Sequence, residues 1–362
     1  MPSSPDVAVV GAGIVGCAVA AFLAEAGATV TLVERDEVAS GASGRNSGVV
    51  QHPMDPALLH LFTETVGHYR HLAAHGFALP AEPHGLLLVA EDEAALAGEL
   101  AAIRRGYPEL AAEALAAGEP GKLEPALAPD LAAVRLHTGY AVPPAAATRA
   151  FAARAQAAGA RLRIGEHAAL ASGGLAVGAE RLAAGAVVVA AGPWTPELVD
   201  PSGTWRPIMP IWGVNVEVRL AAPPRHALEE IGVEQLIARR GDPPPLFSLI
   251  TAEGTSSLGS TFLPRKPDAA ALAPSLRERG TRFVPELGAT PIVSVRACAR
   301  PHAADGRPLL GRAPGIDDVF VAAGHGPWGI SLGPASARLL ADLVLGREAA
   351  PPAVFEPARF AR

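Results

Sequence analysis

The 362-residue chain is expected to be an α/β protein with a Rossmann-type domain and a second, smaller α+β domain. Three observations predict this. A complete strand–glycine loop–helix–strand–acid unit opens the chain. From about residue 208 to 297 the texture changes to alternating and Gly/Ser/Thr-rich stretches. Near the C-terminus the opening texture returns. A chain of this length also exceeds the usual size of one compact core.

Val7-Ala8-Val9-Val10 is a short β-rich apolar run, suited to a parallel strand buried on both faces. Gly11-Ala12-Gly13-Ile14-Val15-Gly16 follows, then helix formers over 17–26 stopped by Gly27, then the strand 29–33 closed by Glu34. Residues 39–48 form a Ser/Gly/Arg/Asn loop, and Leu58, Leu59, Leu61, Phe62 and Val66 place a helix over about 56–74. A strand is expected at 85–89, an amphipathic helix at 93–105, a helix at 144–158 closed by Gly159, and a strand at 161–164. The strand 186–190 runs into Ala191-Gly192-Pro193-Trp194. Residues 214–220 and 256–261 read as antiparallel strands. Residues 319–323 are a strand, Gly324-His325-Gly326 a turn, and 335–345 a helix. The parallel-type pieces are separated by other material. One discontinuous domain is therefore expected from 1–75, 140–205 and 298–362, and the second from 76–139 and 206–297.

Composition narrows the function classes. The net charge of −6 and pI near 6.0 give no reason to invoke nucleic acid or an anionic membrane. The 49% hydrophobic fraction owes much to alanine, and no uninterrupted apolar run reaches membrane-spanning length. Cys17 and Cys298 are the only cysteines, and the first residues lack the basic stretch of a signal peptide. A soluble cytoplasmic protein is the expectation.

The glycine loop carries the first chemistry. Gly11 allows the tight turn, Gly13 lets backbone amides approach a pyrophosphate, and Gly16 lets helix and strand pack closely. The helix N-terminus, at Ile14 and Val15, offers free N–H groups to phosphates, and Glu34 can accept hydrogen bonds from a ribose diol. Dinucleotide binding follows from this context, although the unit alone does not distinguish NAD from FAD.

Four further segments carry a resemblance. Glu34-Arg35 with Ser40-Gly41-Ala42-Ser43-Gly44-Arg45-Asn46-Ser47-Gly48, then Val188 to Trp194, then Ala299-Arg300-Pro301 with Asp305 to Gly311, and last Gly324 to Gly329, together resemble the FAD-dependent D-amino acid oxidase superfamily. Its members include glycine oxidase, sarcosine oxidase and D-amino acid dehydrogenases. The resemblance covers nearly the whole chain. It implies an FAD held non-covalently by the first βαβ unit. Arg35, Ser43, Arg45, Asn46, Ser47 and Gly48, followed by Val49 and Val50, would line the pyrophosphate and the near edge of the ring. Ala168 would touch the adenine through its backbone, and Ala191, Gly192 and Trp194 would flank the cofactor. Gly324, His325, Gly326, Pro327, Trp328 and Gly329, with Ile330 and Ser331, would form the last turn, starting a helix whose N-terminus stabilises negative charge on the reduced ring. Trp194 also suits a domain interface, His325 a structural cap, and Arg45 a solvated loop.

The resemblance implies oxidation of a small amino acid or secondary amine to an imine, by hydride transfer to flavin N5, with oxygen or another carrier as electron acceptor. Arg300 matches the position that binds the substrate carboxylate, a salt bridge to Asp305 being the structural alternative. Gln51 and His52 follow the flavin loop and could face the ring, His52 equally suiting a turn cap before Pro53. Arg296 could face the same side as Cys298. Cys298 falls where sarcosine oxidase bonds its flavin, although a small buried residue is the simpler reading. Two lysines expected for sarcosine oxidase are absent, near 256–260 and at Ile330 or Ser331. A 2-hydroxy-acid dehydrogenase and a flavin subunit of a hetero-oligomeric dehydrogenase fit the same motifs.

Overall fold

The computed structural model describes residues 6–232 and 243–361. Its central sheet has the order β18-β19-β12-β1-β2-β8, built from β1 (Val7–Val10), β2 (Val30–Glu34), β8 (Arg161–Ile164), β12 (Ala186–Val189), β18 (Leu309–Arg312) and β19 (Val319–Ala323). All neighbours are parallel except β18 with β19. Every residue of β1 is buried, as expected of a strand covered on both faces.

One face carries the helices Ile14–Glu25, Leu59–Ala73, Ala146–Ala157 and Gly329–Val344. The first crosses from β1 to β2, and its small side chains, Ala18, Ala20 and Ala21, are completely buried and let the helices approach closely. The other face is covered by a three-stranded antiparallel sheet of β9 (Ala168–Ala171), β10 (Gly174–Val177) and β11 (Glu180–Ala183), where Leu175 and Val177 share a core with Val10, Val33 and Val189.

The second sheet has eight strands in the order β17-β13-β16-β15-β14-β4-β6-β5. Its members are β4 (Leu86–Ala90), β5 (Glu113–Leu115), β6 (Ala132–Leu136), β13 (Ile208–Val218), β14 (Ala227–Glu230), β15 (Ser248–Ala252), β16 (Thr255–Gly259) and β17 (Ile292–Ala303). It is antiparallel apart from β14 with β4. Strand alternation gives it two unlike faces. Val214, Val216 and Val218 pack with Leu249, Leu258 and Leu276 beneath the helix Ala269–Thr281. The alternate residues include Asn215, Arg296, Cys298 and Arg300. Asn215 donates to the Arg45 carbonyl at 3.1 Å, which turns this face toward the loop after β2. β17 runs unbroken from Ile292 to Ala303, so a domain boundary at residue 298 would fall inside a strand.

A two-stranded ribbon, β3 (Val49–Val50) with β7 (Tyr140–Ala141), anchors the end of that loop. Gly48 precedes it at φ +85°, and a side chain there would collide with the Val142 carbonyl, so only glycine suits the position.

Candidate active site

A cleft of about 1320 Å³ opens at the C-terminal ends of β1 and β2 and extends to the polar face of the eight-stranded sheet. That exceeds the roughly 300–1,000 Å³ of an ordinary small-molecule pocket. Gly11, Gly13, Ile14 and Val15 form one wall with Glu34 and Arg35. A Cβ at Gly11 would collide with the Ala190 carbonyl and one at Gly16 with the Gly11 carbonyl, so both glycines serve close backbone packing. Gly16 itself stays behind the wall. Glu34 accepts the Ala12 N–H at 2.7 Å and the Asp36 N–H at 2.9 Å, tying the end of β2 to the glycine loop.

Ser43, Arg45 and Asn46 line the next part of the cleft. The Ser43 hydroxyl accepts the Ile14 N–H at 3.0 Å, which docks the loop onto the start of the first helix. The Asn46 amide is used within its own loop, donating to the Ser43 carbonyl at 2.8 Å and accepting from Gly48 at 2.8 Å. Arg45 donates to the Ala297 carbonyl at 3.3 Å. Ala168, Ala191, Gly192 and Trp194 complete one end, and the Arg35 guanidinium stacks on Trp194 at 4.1 Å. Ser47, Gly48, Val49 and Val50 lie outside this lining and carry the ribbon instead.

The opposite end is lined by His325, Gly326, Pro327, Gly329 and Ile330. His325 is buried against Ser336, 3.0 Å from its hydroxyl, and burial pulls its pKa down to about 4, so it is neutral in ordinary buffers. Gly324, Trp328 and Ser331 stand behind this wall. Ser331 accepts the Gln51 N–H at 3.1 Å, and Tyr69 donates to the Ile330 carbonyl at 2.7 Å.

Arg300 lines the cleft together with Cys298. Its guanidinium donates to the Thr261 carbonyl at 2.7 Å and the Ser260 hydroxyl at 2.6 Å, and packs over the Phe262 ring at 4.6 Å. These partners are neutral, and burial lowers its pKa from the usual guanidinium value. The salt bridge to Asp305 does not form, because Arg359 takes that carboxylate at 2.8 and 3.1 Å. Arg296 differs, being paired with Glu217 at 2.8 Å. Of the two arginines on this face of β17, Arg300 is the one whose charge lacks a carboxylate partner among the described residues. Cys298 is buried, and burial pushes its thiol pKa up more than the surrounding arginines pull it down.

Gln51 and His52 do not line this cleft. The His52 ring sits between Phe62 and Tyr107, with Nε2 3.1 Å from Glu109, and burial lowers its pKa. Its ring is packed against those two aromatic side chains. Gln51 reaches instead to Glu229 on β14. Residues not singled out from sequence also reach the cleft: Arg149, Glu166, His167, Trp212 and Lys266. Lys266 lies 5.8 Å from the Trp212 ring centre. Arg149 comes from the helix Ala146–Ala157, and Glu166 and His167 from the loop between β8 and β9, which approach the cleft only once the parallel sheet is assembled.

Comparison with known proteins agrees with this architecture. A family model described as FAD dependent oxidoreductase matches residues 6–343. A glycine oxidase from Pseudomonas aeruginosa is 31% identical over 179 residues, 48% of this chain and 44% of that protein, so the chain spans less than half of that relative's length. A glycine oxidase from Geobacillus kaustophilus is 29% identical over 95% of this chain and 94% of that protein. The crystal structure of glycine oxidase from Geobacillus kaustophilus superposes with a TM-score of 0.84 at 27% identity, covering 99% of both chains.

Proposed function

Because this chain belongs to the family of FAD-dependent oxidoreductases, we propose that it oxidises a small amino acid or secondary amine to an imine, which water then hydrolyses. The residues present fit FAD. The Gly11–Gly16 loop leaves its backbone open to a pyrophosphate, and a Cβ at Gly13 would crowd the Ser43 hydroxyl within 3.1 Å on that approach. In the first turn of the helix Ile14–Glu25 the Ile14 N–H is taken by the Ser43 hydroxyl, which leaves those of Val15 and Gly16 with no acceptor inside the helix.

Bound FAD supplies the acceptor for the electron pair that leaves the substrate α-carbon. The protein's task is chiefly to orient that C–H bond and exclude water. Arg300 is the observation that carries the reading: a half-buried guanidinium at the cleft wall, held by neutral oxygens and unmatched by a carboxylate among the described residues. It offers a substrate carboxylate a charge-assisted, forked partner. The start of the helix Gly329–Val344 adds positive potential at the other wall, which would favour negative charge on a group bound there.

Non-covalent attachment of FAD is part of this proposal. A thiol whose pKa burial raises, as at Cys298, holds little thiolate for bonding to the flavin. Among the described residues no helix is long and apolar enough to cross a membrane. A cytoplasmic location remains our reading from cysteine usage. The electron acceptor is oxygen or another carrier.

Steady-state assays with amino acids, N-methyl amino acids and 2-hydroxy acids, each with oxygen and with a dye acceptor, test the reaction class. Turnover of amino acids supports the reading. Turnover of hydroxy acids alone would replace it with a 2-hydroxy-acid dehydrogenase.

A further inference from the structure

The helix Gly329–Val344 carries a proline in its second turn, Pro334. Proline is tolerated at the start of a helix, where no N–H is needed. Further in, it leaves the carbonyl four residues back without its donor. Here that carbonyl belongs to Ile330, which lines the cleft from the first turn. The donor comes from another helix. Tyr69, on the helix Leu59–Ala73, is completely buried and gives its hydroxyl to the Ile330 carbonyl at 2.7 Å.

Other contacts hold the same stretch from outside. Thr65, one turn before Tyr69 and also completely buried, accepts the Ala335 N–H at 3.1 Å. Residues four apart share a helix face, so Thr65 and Tyr69 address the proline together. The Gln51 N–H donates to Ser331 Oγ at 3.1 Å. A Cβ at Gly333 would come within 3.1 Å of Ile14 Cγ2 and 3.2 Å of Val15 Cγ2, so glycine lets this helix rest on the start of the first one. The first turn is thus tied down by its neighbours where its own helix leaves a gap.

The tyrosine is itself held in place. Its ring stacks on Phe77 at 5.9 Å and meets Phe151 edge-on at 6.4 Å. Burial raises the pKa of its hydroxyl, which stays protonated and able to donate. Phenylalanine would fill the same space, so packing alone does not call for the oxygen. The Ile330 carbonyl does, because a buried acceptor left without a donor carries its full desolvation penalty.

We propose that Tyr69 is a positioning residue for the flavin: by supplying the donor that Pro334 withholds, it fixes the helix turn whose residues Gly329 and Ile330 line the cleft. The free N–H groups of that turn carry partial positive charge. Held in place, they favour the more negative, reduced form of bound FAD. Without the hydroxyl, the Ile330 carbonyl turns toward another donor, the turn shifts with it, and the preference weakens. The inference rests on the FAD reading above and not on the identity of the substrate.

Redox potentiometry of the FAD-loaded protein tests this without any substrate. Tyr69→Phe should lose about tenfold in its preference for reduced over oxidised FAD, which lowers the two-electron potential by about 30 mV. Pro334→Ala restores an N–H four residues after Ile330. Combined with Tyr69→Phe it should therefore recover most of the shift, while Pro334→Ala alone should keep a potential near wild type. An unchanged potential in Tyr69→Phe overturns the inference, even if the melting temperature falls. So does a double variant no closer to wild type than Tyr69→Phe. Should Tyr69→Phe fail to fold, the double variant must fold with a potential near wild type, and its failure to do so also overturns the inference. A wild-type protein that holds no FAD contradicts the FAD reading, and the inference falls with it. A flavin that no amino acid reduces overturns the reaction class alone, since the potentials are measured without substrate.

Discussion

Replacing Arg300 with alanine tests the substrate end most sharply. The guanidinium makes two hydrogen bonds, to the Thr261 carbonyl and the Ser260 hydroxyl, and no ion pair among the described residues. A substrate carboxylate would therefore be its one charged partner. Charge-assisted bonds of this kind contribute about 1.5–3 kcal/mol. At about 1.4 kcal/mol per factor of ten, Arg300→Ala should lower kcat/KM by roughly ten- to several-hundred-fold. Arg300→Lys keeps the charge but loses the fork, so its loss should fall between wild type and alanine. The assay is initial-rate kinetics with the best amino acid, with benzoate as a competing carboxylate. Benzoate should inhibit wild type and lose that effect in the alanine variant, while the bound flavin spectrum stays nearly unchanged. If Arg300→Ala oxidises the amino acid as well as wild type does, the clamp lies elsewhere. Arg45 would then be the next candidate, since Glu217 already neutralises Arg296.

Three other outcomes are expected. Gly13→Leu should abolish FAD binding, because its side chain would project toward Ser43 across the pyrophosphate approach; equilibrium dialysis with FAD reads this directly. Acid precipitation should release the flavin into the supernatant, and colour retained in the pellet, lost in Cys298→Ala, would instead show a thioether. The apoprotein should lose stability as pH falls from about 6.5 to about 4, partly through His325. In that window the unfolded state binds a proton that the folded state refuses, so stability falls with pH, by roughly 2 kcal/mol at pH 5 from this residue. Urea denaturation at pH 7 and pH 5 should show a smaller difference in His325→Asn, and an unchanged difference would assign the effect elsewhere.

The βαβ unit was readable in the sequence because its signals are local. A buried apolar strand, a glycine loop, a helix and a terminal acid follow in order, and β1, β2 and the helix between them lie within a few residues of expectation. The late turn was legible for the same reason, though its helix begins at Gly329 and carries Pro334 inside it, so it starts earlier than the expected 335. β9 to β11 were less legible, since their alanine- and glycine-rich strands have weak β propensity and are held by packing on the parallel sheet. Arg149 and Trp212 could not be found by local pattern, because only the assembled sheets bring them to the cleft. His52 follows the loop directly in sequence yet is absent from the cleft lining, because its ring packs against Phe62 and Tyr107, partners that sequence adjacency does not reveal.

The central claim is that this chain passes electrons from an amino acid to bound FAD. Anaerobic mixing of the yellow protein, carrying about one FAD per chain, with a panel of D-, L- and N-methyl amino acids tests it most directly. Bleaching of the visible flavin bands by at least one of them, with a 2-oxo acid or aldehyde recovered in equal amount, is the predicted result. A colourless protein that binds NAD and refuses FAD, or an FAD that no amino acid or amine reduces, would contradict it.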